Sequence, residues 1–211
     1  MMNQAVFLDK DGTLIEDVPY NVDPAQMRLV AGAGIGLQQL HQMGYQLIVI
    51  SNQSGVARGY FSESALAEVE QRLQALLAPF DVSLDGFYYC PHHPDGTVMD
   101  YAIACECRKP APGLLMQAAR DHGIDLTASW FIGDILNDVE AGRNAGCQTV
   151  LLNNGNETEW LLSVDRVPHY MTADLAEAAA VIEKVGVRSQ KSEYRKAEAS
   201  YRSREAKLVG F

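Results

Sequence analysis

Two carboxylates follow a short apolar run near the beginning of the chain. Residues 5–13 read Ala-Val-Phe-Leu-Asp-Lys-Asp-Gly-Thr, so Asp9 and Asp11 come directly after four apolar residues. Side chains at i and i+2 of an extended chain share a face, and these carboxylates can therefore converge on one metal ion and one substrate atom. Gly12 permits a sharp turn behind them because it lacks a Cβ. Taken alone, the motif favours a solvated turn, and its chemistry depends on the rest of the chain.

Two further segments carry groups that bind phosphate. Ser51–Ser54 follows the apolar run 47–50 and offers a hydroxyl and amides, which can donate hydrogen bonds to phosphoryl oxygens. Arg108 and Lys109 are adjacent cations, and the proline after Lys109 favours an extended conformation there. Taken separately, the first segment is equally a capped loop, and the second a pair of solvated surface cations.

A second pair of acids follows another apolar run. In the segment Phe-Ile-Gly-Asp-Ile-Leu-Asn-Asp, Asp134 ends the run and Asp138 comes four residues later. Asp134 can complete an oxygen-ligand site for Mg²⁺, an ion that binds a few carboxylates together with water and phosphate. Asp138 is also explained by the stabilisation of an acid near a helix N-terminus.

The elements that position these groups alternate between strand and helix patterns. Strands are predicted at Ala5–Leu8, Gln46–Ile50, Gly86–Tyr89, Ser129–Ile132 and Thr149–Leu152, and helices at Gly34–Met43, Ser62–Leu77, Gly113–His122, Asp138–Ala145 and Ala173–Val185. Such alternation predicts an α/β fold, a Rossmann-like, doubly wound parallel sheet. Ligands of these sheets bind outside the carboxyl ends of the strands, where the polar groups lie. The short intervals between the motifs leave no room for a large cap domain.

Composition narrows the class of protein. The 211 residues fit one domain, with no run of the roughly 18 apolar residues of a membrane span and no basic-apolar leader at the N-terminus. The net charge of −10 argues against nucleic-acid binding. We therefore expect a cytoplasmic enzyme, monomeric, with neither a membrane nor a nucleic-acid partner. Residues 1–187 form the predicted domain, and the charged segment 188–211 is a solvated helix or a disordered tail.

Three of the four cysteines lie close together. Cys90 and His92 are followed, after twelve residues, by Cys105 and Cys107, a set of ligands able to close a tetrahedral structural Zn²⁺ site. His93 is the alternative to His92, and buried free thiols are the alternative to metal. The predicted zinc loop, residues 90–107, would hold the segment that carries Arg108 and Lys109. The fourth cysteine, at 147, is predicted to be a small core residue.

The four motifs, in this order and each expected after its own strand, resemble motifs one to four of the haloacid dehalogenase superfamily of phosphohydrolases. The resemblance covers roughly residues 5–185. It implies hydrolysis through an aspartyl-phosphate, with Asp9 as the nucleophile and Asp11 as the general acid and base. It further implies that Ser51 and Lys109 hold the phosphoryl group, and that Asp9, Asp11 and Asp134 bind Mg²⁺.

The zinc loop resembles one branch of that superfamily, which contains the histidinol-phosphatases and the D,D-heptose 1,7-bisphosphate phosphatases of lipopolysaccharide core synthesis. The length of the loop resembles the heptose family, which implies a sugar bisphosphate as the small-molecule substrate and loss of its C7 phosphate. The resemblance implies these substrate contacts: Asp17, Tyr20, Asn52, Gln53, Ser54 and Arg108. Two positions depart from the family pattern. Ile135 replaces the usual basic residue, and Pro19 replaces glycine.

Three alternatives remain open. A histidinol-phosphatase or a broader sugar-phosphate phosphatase shares the same motifs. A zinc-stabilised binding module without catalysis would keep the fold, and Ile135 is compatible with it. A phosphotransferase such as a mutase would need a lid to exclude water from the aspartyl-phosphate, and the short intervals between the motifs disfavour one.

Overall fold

The computed structural model describes residues 2–186, which contain six strands, five α-helices and five short 3-10 helices. The strands are β1 (Ala5–Leu8), β2 (Gln46–Asn52), β3 (Gly86–Cys90), β4 (Trp130–Gly133), β5 (Gln148–Leu152) and β6 (Tyr170–Thr172). The helices are α1 (Ala33–Gln42), α2 (Leu66–Leu77), α3 (Gly113–His122), α4 (Leu136–Ala145) and α5 (175–186). The strands form one parallel sheet in the order β3-β2-β1-β4-β5-β6. The predicted α/β class without a large cap domain is confirmed.

Strand β1 runs through the middle of the sheet and is buried on both faces. Val6 and Leu8 belong to one apolar cluster, whereas Ala5 and Phe7 belong to the cluster on the opposite face. This follows from the alternation of side chains along an extended chain. Burial of each large apolar side chain contributes roughly 1.5–3 kcal/mol, so the central strands hold the sheet rigidly.

The helices cover the two faces of the sheet through apolar stripes. Helices α1, α2 and α5 contribute residues to the cluster that contains Val6, and α3 to the cluster that contains Phe7. In α1, for example, Ala33, Leu37 and Leu40 recur at helical spacing and are fully buried. A sheet covered on both faces can expose its polar groups only at the strand ends.

The predicted elements are largely confirmed, with shifts of one to four residues at their ends. Strand β2 continues for two more residues, because Ser51 and Asn52 pair with Tyr89 and Cys90 of β3. Helix α4 begins at Leu136 rather than Asp138. Strand β6 was not predicted, since it has only three residues at the sheet edge and buries one of them.

The strand order decides where the functional groups meet. Strand β1 lies between β2 and β4, and the backbone N–H of Asp9 donates to the carbonyl of Ile132 at 3.0 Å. The carboxyl ends of these three parallel strands therefore share one edge, at the point where the strand order reverses. Within residues 2–186, no helix is both long enough and apolar enough to cross a membrane. The predicted tail, 188–211, lies outside the described residues.

Candidate active site

A cavity of about 330 Å³ opens at the carboxyl edge of the sheet. We call it the catalytic pocket. Its lining residues come from all four motifs and from two further loops: Asp9, Asp11, Asp17, Pro19, Tyr20, Asn21, Ser51, Asn52, Gln53, Ser54, Gly55, Lys109, Asp134, Ile135 and Asn156. The structure thus brings together ten of the eleven predicted catalytic, substrate and Mg²⁺ residues. Arg108 is the exception.

Lys109 forms the centre of a buried ion-pair network. Its Nζ lies 2.5 Å from Asp9 Oδ1 and 2.7 Å from Asp138 Oδ1, and it donates to the carbonyl of Ile50 at 3.0 Å. Burial alone would lower the pKa of Lys109, but the carboxylates of Asp138 and Asp9 outweigh it and raise the pKa above its ordinary value. Lys109 is therefore a permanent cation at the base of the pocket.

Asp134 is held from both sides. Its Oδ1 accepts a hydrogen bond from Thr13 Oγ1 at 3.2 Å, and its Oδ2 accepts one from Asn156 Nδ2 at 2.7 Å. Gly12 packs between these groups with φ +79°, and a Cβ at that position would overlap both the Asp134 carboxylate and the Asn156 amide. The glycine of the first motif is thus required both by its backbone conformation and by its close approach.

Three buried carboxylates lie close together, and two of them contact Lys109. Oxygens of Asp9, Asp134 and Asp138 lie within 4.8 Å of one another. Burial, together with the charges of Asp9 and Asp138, raises the pKa of Asp134 to about 7. Burial also raises the pKa of Asp138 to about 6, although Lys109 opposes the change. This excess of negative charge and the oxygen donors fit a divalent cation such as Mg²⁺.

The predicted ligand Asp11 does not belong to that carboxylate group. Its Oδ1 lies 2.5 Å from Nζ of the buried Lys10, and its Oδ2 accepts a hydrogen bond from Gln53 Nε2 at 3.2 Å. Burial raises the pKa of Asp11, Lys10 lowers it, and the charge of Asp9 raises it further, with a net increase. These two partners occupy both carboxylate oxygens, and they hold the Asp11 side chain apart from the carboxylates of the candidate Mg²⁺ site.

The residues at the end of β2 connect the motifs to one another. Gln53 Nε2 donates to Ser51 Oγ at 2.8 Å as well as to Asp11, and so links the second motif to the first. The Asn52 amide exchanges two hydrogen bonds of 3.1 Å with the backbone of Lys109. Asn52 was predicted from the sequence to contact the substrate. It lines the pocket, and through these two hydrogen bonds it also positions Lys109.

The residues predicted to contact the substrate away from the reacting groups lie in different places. Asp17 and Tyr20 are exposed and line the mouth of the pocket, and Ser54 lines it from the β2 side. Arg108 instead points towards the cysteine-rich segment, where its Nη1 lies 3.5 Å from the carbonyl oxygen of His92. Among the lining residues of the described chain, Lys109 is therefore the one basic side chain.

Two residues of the site were missed or underestimated from sequence. Asp138 was explained by helix stabilisation, yet its Oδ1 faces Lys109 while its Oδ2 accepts from the backbone N–H of Ile135 at 3.3 Å. Its spacing of four residues from Asp134, on the first turn of α4, was the available signal. Asn156 follows β5 and had no such signal beyond its position after a strand end. Its loop is fixed by Asn154, which donates to the carbonyl of Gly12 at 2.7 Å.

A second group of side chains that could bind a metal ion lies at the end of β3. We call Cys90, His92, Cys105 and Cys107 the cysteine cluster; one donor atom from each lies within 4.8 Å of the others. The sulfur atoms are 3.1–3.5 Å apart, and His92 Nδ1 is 3.3 Å from Cys107 Sγ. None of the four is in a disulfide. Four convergent soft and borderline donors fit a closed tetrahedral Zn²⁺ site.

His93, the alternative ligand, points elsewhere. Its Nε2 lies 3.2 Å from Arg58 Nη2, and its Nδ1 accepts a hydrogen bond from the backbone N–H of Asp95. Burial and the charges of Arg108 and Arg58 lower the pKa of His93. The fourth cysteine, at 147, is 3% exposed and packs in the core, as predicted.

Comparison with known proteins identifies relatives of this chain. The HAD-hydrolase-like family model matches residues 106–178. The D-glycero-beta-D-manno-heptose-1,7-bisphosphate 7-phosphatase of Pasteurella multocida is 44% identical over 155 residues, which span 73% of this chain and 84% of that protein. The enzyme of the same name from Escherichia coli is 39% identical over 168 residues, with coverage of 75% and 88%.

Solved structures agree with these relatives. The D,D-heptose 1,7-bisphosphate phosphatase of B. bronchiseptica, complexed with magnesium and phosphate, superposes with a TM-score of 0.70 at 28% identity, over 86% of this chain and 98% of that one. A HAD-like protein from Mesorhizobium loti superposes with a TM-score of 0.76 at 34% identity, over 87% of each chain.

Proposed function

Because the chain belongs to the D-glycero-beta-D-manno-heptose-1,7-bisphosphate 7-phosphatase family of HAD-like phosphatases, we propose that it hydrolyses the C7 phosphate ester of this heptose bisphosphate. The observation that supports the proposal most is the meeting of Asp9, Asp11, Ser51 and Lys109 in one pocket. These groups supply a nucleophile, a proton carrier and phosphate-binding donors. A binding module that had lost catalysis would have no reason to keep them in contact.

The carboxylates of Asp9, Asp134 and Asp138 are the groups that would hold Mg²⁺. When bound, the ion neutralises phosphoryl charge that would otherwise repel the attacking carboxylate. That Asp11 is also a ligand stays a prediction, since its carboxylate faces Lys10 and Gln53. Lys109 holds Asp9 in place and supplies a fixed positive charge beside the phosphoryl group.

The first chemical step uses the two acids of the first motif. A carboxylate oxygen of Asp9 attacks phosphorus, and the bond between phosphorus and the ester oxygen breaks. Asp11 gives its proton to that oxygen, so the sugar leaves as a neutral alcohol and Asp9 carries the phosphoryl group. Ser51 and Lys109 donate hydrogen bonds to the phosphoryl oxygens during the transfer.

The second step reverses the role of Asp11. As a carboxylate it takes a proton from water, the water oxygen attacks phosphorus, and the bond to Asp9 breaks. Inorganic phosphate is released, Asp9 is again a carboxylate, and Asp11 is again protonated. The raised pKa of Asp11, which results from burial, suits a group that carries a proton in alternate steps.

The cysteine cluster would hold a structural Zn²⁺. All four donors belong to protein side chains, so a tetrahedral ion there has no open position for substrate. Cys107 is two residues before Lys109, and a closed site would therefore fix the segment that presents the lysine. We further propose that the enzyme acts as a cytoplasmic monomer on a precursor of the lipopolysaccharide core.

A steady-state comparison of substrates tests the proposed function. We expect kcat/KM with Mg²⁺ to be highest for heptose 1,7-bisphosphate, measured for both anomers, and lower for histidinol phosphate and for hexose monophosphates. Phosphate release from the Asp9→Asn variant under the same conditions is the control for contaminating phosphatases. Histidinol phosphate as the best substrate would replace the proposal by its nearest alternative, and no phosphate release from any ester would reject catalysis.

A further inference from the structure

Two exposed tyrosines meet at the mouth of the catalytic pocket. The rings of Tyr20 and Tyr60 lie 4.6 Å apart between centroids, with an angle of 76° between their planes, in an edge-to-face contact. Tyr20 is 48% exposed and Tyr60 is 61% exposed, and Tyr20 lines the pocket. Aromatic rings usually bury most of their area, so an exposed pair at a pocket mouth marks a surface that a ligand can cover.

The turn that carries Tyr20 is strained. The backbone N–H of Asn21 donates to the carbonyl of Val18 at 3.0 Å, Pro19 occupies the second position, and Tyr20 has φ +57° at the third. This is a type II turn, in which proline is favoured at the second position and glycine or asparagine at the third. A bulky side chain with positive φ is uncommon, and such strain concentrates at functional sites.

Tyr60 is held by the loop that follows β2. Its backbone N–H donates to the carbonyl of Gly55 at 2.9 Å, and the N–H of Arg58 donates to the carbonyl of Ser54 at 3.0 Å. Gly59, with φ +73°, turns the chain just before it. The tyrosine pair therefore joins the loop after β1 to the loop after β2 across the pocket mouth.

The polarity of the pocket indicates what the pair can contact. Lys109 is the one basic lining residue in the described chain, and it lies at the base, in contact with Asp9 and Asp138. The mouth is lined instead by one carboxylate, Asp17, and by uncharged groups, among them Asn21, Ser54 and Ile135. Such a surface fits the carbon skeleton and hydroxyls of a sugar, with an aromatic ring against its apolar C–H groups.

We propose that Tyr60 is a positioning residue, which holds the strained Tyr20 ring against the sugar body of the substrate. This inference rests on the proposed function, because it assigns the specificity for a sugar phosphate over a small phosphate ester. The base of the pocket recognises the phosphoryl group, and the tyrosine pair recognises the sugar body of the substrate. Holding Tyr20 in its bound conformation before the substrate arrives lowers the entropic cost of binding.

Two substrates and two variants test the proposal. For Tyr60→Ala we expect KM for heptose 1,7-bisphosphate to rise about tenfold, comparable to the loss of a well-packed apolar contact, with kcat within about twofold. Acetyl phosphate has no sugar body, and its kcat/KM should stay unchanged. Tyr60→Phe is the matched control and should behave as the parent enzyme, because the contact needs the ring and not the hydroxyl.

A third variant tests the strain. Tyr20→Gly removes the ring and accepts positive φ, so we expect the same rise in KM together with an unchanged or raised Tm. The proposal is overturned if Tyr60→Ala leaves both substrates unaffected, or if it lowers kcat/KM equally for both. If the parent enzyme hydrolyses acetyl phosphate but not the heptose bisphosphate, the proposed function fails. Tyr60→Ala and Tyr60→Phe are then compared on the sugar phosphate with the highest kcat/KM, and an unchanged KM in Tyr60→Ala would overturn the role of the tyrosine pair as well.

Discussion

The catalytic pocket and the cysteine cluster lie at neighbouring strand ends, yet they are assembled from opposite kinds of sequence. The pocket takes its charged groups from positions as distant as Asp9 and Asp138. The four donors of the cluster lie within eighteen consecutive residues, from Cys90 to Cys107. The spacing of residues along the chain is therefore enough to predict the cluster, whereas the residues of the pocket meet only because of the order of the strands in the sheet.

The two sites also differ in electrostatics. The pocket brings three carboxylates together, two of them in contact with Lys109, and burial with the charges of Asp9 and Asp138 raises the pKa of Asp134 to about 7. The cluster is made of three thiols and one imidazole, and hydrogen bonding with Cys90, followed by burial, raises the pKa of the Cys107 thiol. Thiols bind Zn²⁺ as thiolates, so the cluster would depend on the bound ion to offset its negative charge, whereas the pocket contains a cation of its own, Lys109. The segment from Cys107 to Lys109 joins the two sites.

The largest expected effect comes from removing the nucleophile. Asp9→Asn keeps the shape of the side chain but cannot form the acyl phosphate, and we expect kcat to fall by about 10⁴-fold or more. Circular dichroism should show an unchanged fold. Activity of Asp9→Asn at the parent level would contradict the assignment of Asp9 as the nucleophile. It would also remove the contrast between a reactive catalytic pocket and a structural cysteine cluster.

The second prediction concerns pH and metal removal in the pocket. In protein dialysed free of Mg²⁺, which keeps a tightly bound Zn²⁺ in place, the folded state raises the pKa of Asp134 from 3.8 to about 7. A carboxyl group whose pKa is higher in the folded state than in the unfolded state stabilises the protein fully below the unfolded pKa. That contribution to stability is lost as the pH rises through the folded pKa. The loss corresponds to ~4 kcal/mol of unfolding free energy between about pH 4 and pH 7.

Mg²⁺ competes with the proton for the same carboxylates. The increase in Tm on adding Mg²⁺ should therefore be larger at pH 8 than at pH 5.5, as measured by differential scanning fluorimetry. Asp134→Asn is the control and should lose most of this pH dependence. An equal Mg²⁺ effect at both pH values would show that the pocket carboxylates do not bind the ion.

The cluster is tested by Cys105→Ser. Protein purified without added metal should contain about one Zn²⁺ per chain, and the variant should contain much less, because a closed site loses one of four ligands. We expect kcat/KM to fall only about tenfold, since the reacting groups remain and the loop before Lys109 merely loosens. Cys147→Ser, a change at a buried cysteine outside the cluster, should keep its zinc. Full zinc content in Cys105→Ser would contradict the ligand set.

The smallest expected effect is at the rim of the pocket. Asn156→Ala removes the donor to Asp134 Oδ2 but leaves the hydrogen bond from Thr13. We expect the Mg²⁺ concentration for half-maximal activity to rise about three- to tenfold, with a small change in kcat. Isothermal titration with Mg²⁺ should show the same weakening. Asn153→Ala, in the same loop, is the matched control and should leave Mg²⁺ affinity unchanged.

Much of the fold could be predicted because its signals are local. The near-continuous apolar run at 47–50 is typical of a strand buried on both faces, and it is fully buried in β2. Strand β6 lacked such a signal, since Tyr170 and Met171 are exposed and it is stabilised by pairing with β5. An element whose stability comes from its neighbour leaves little trace in its own residues.

The sequence by itself determined the chemistry that is available: acids after β1 and β4, a hydroxyl at the end of β2, a lysine before a proline, and four metal-binding side chains at zinc-site spacing. The tertiary structure alone decided how these groups are used. It placed Asp138 against Lys109, turned Asp11 towards Gln53, and directed Arg108 away from the pocket. The physical reason is that side-chain direction at a strand end depends on partners supplied by other strands, and those partners are distant in the chain.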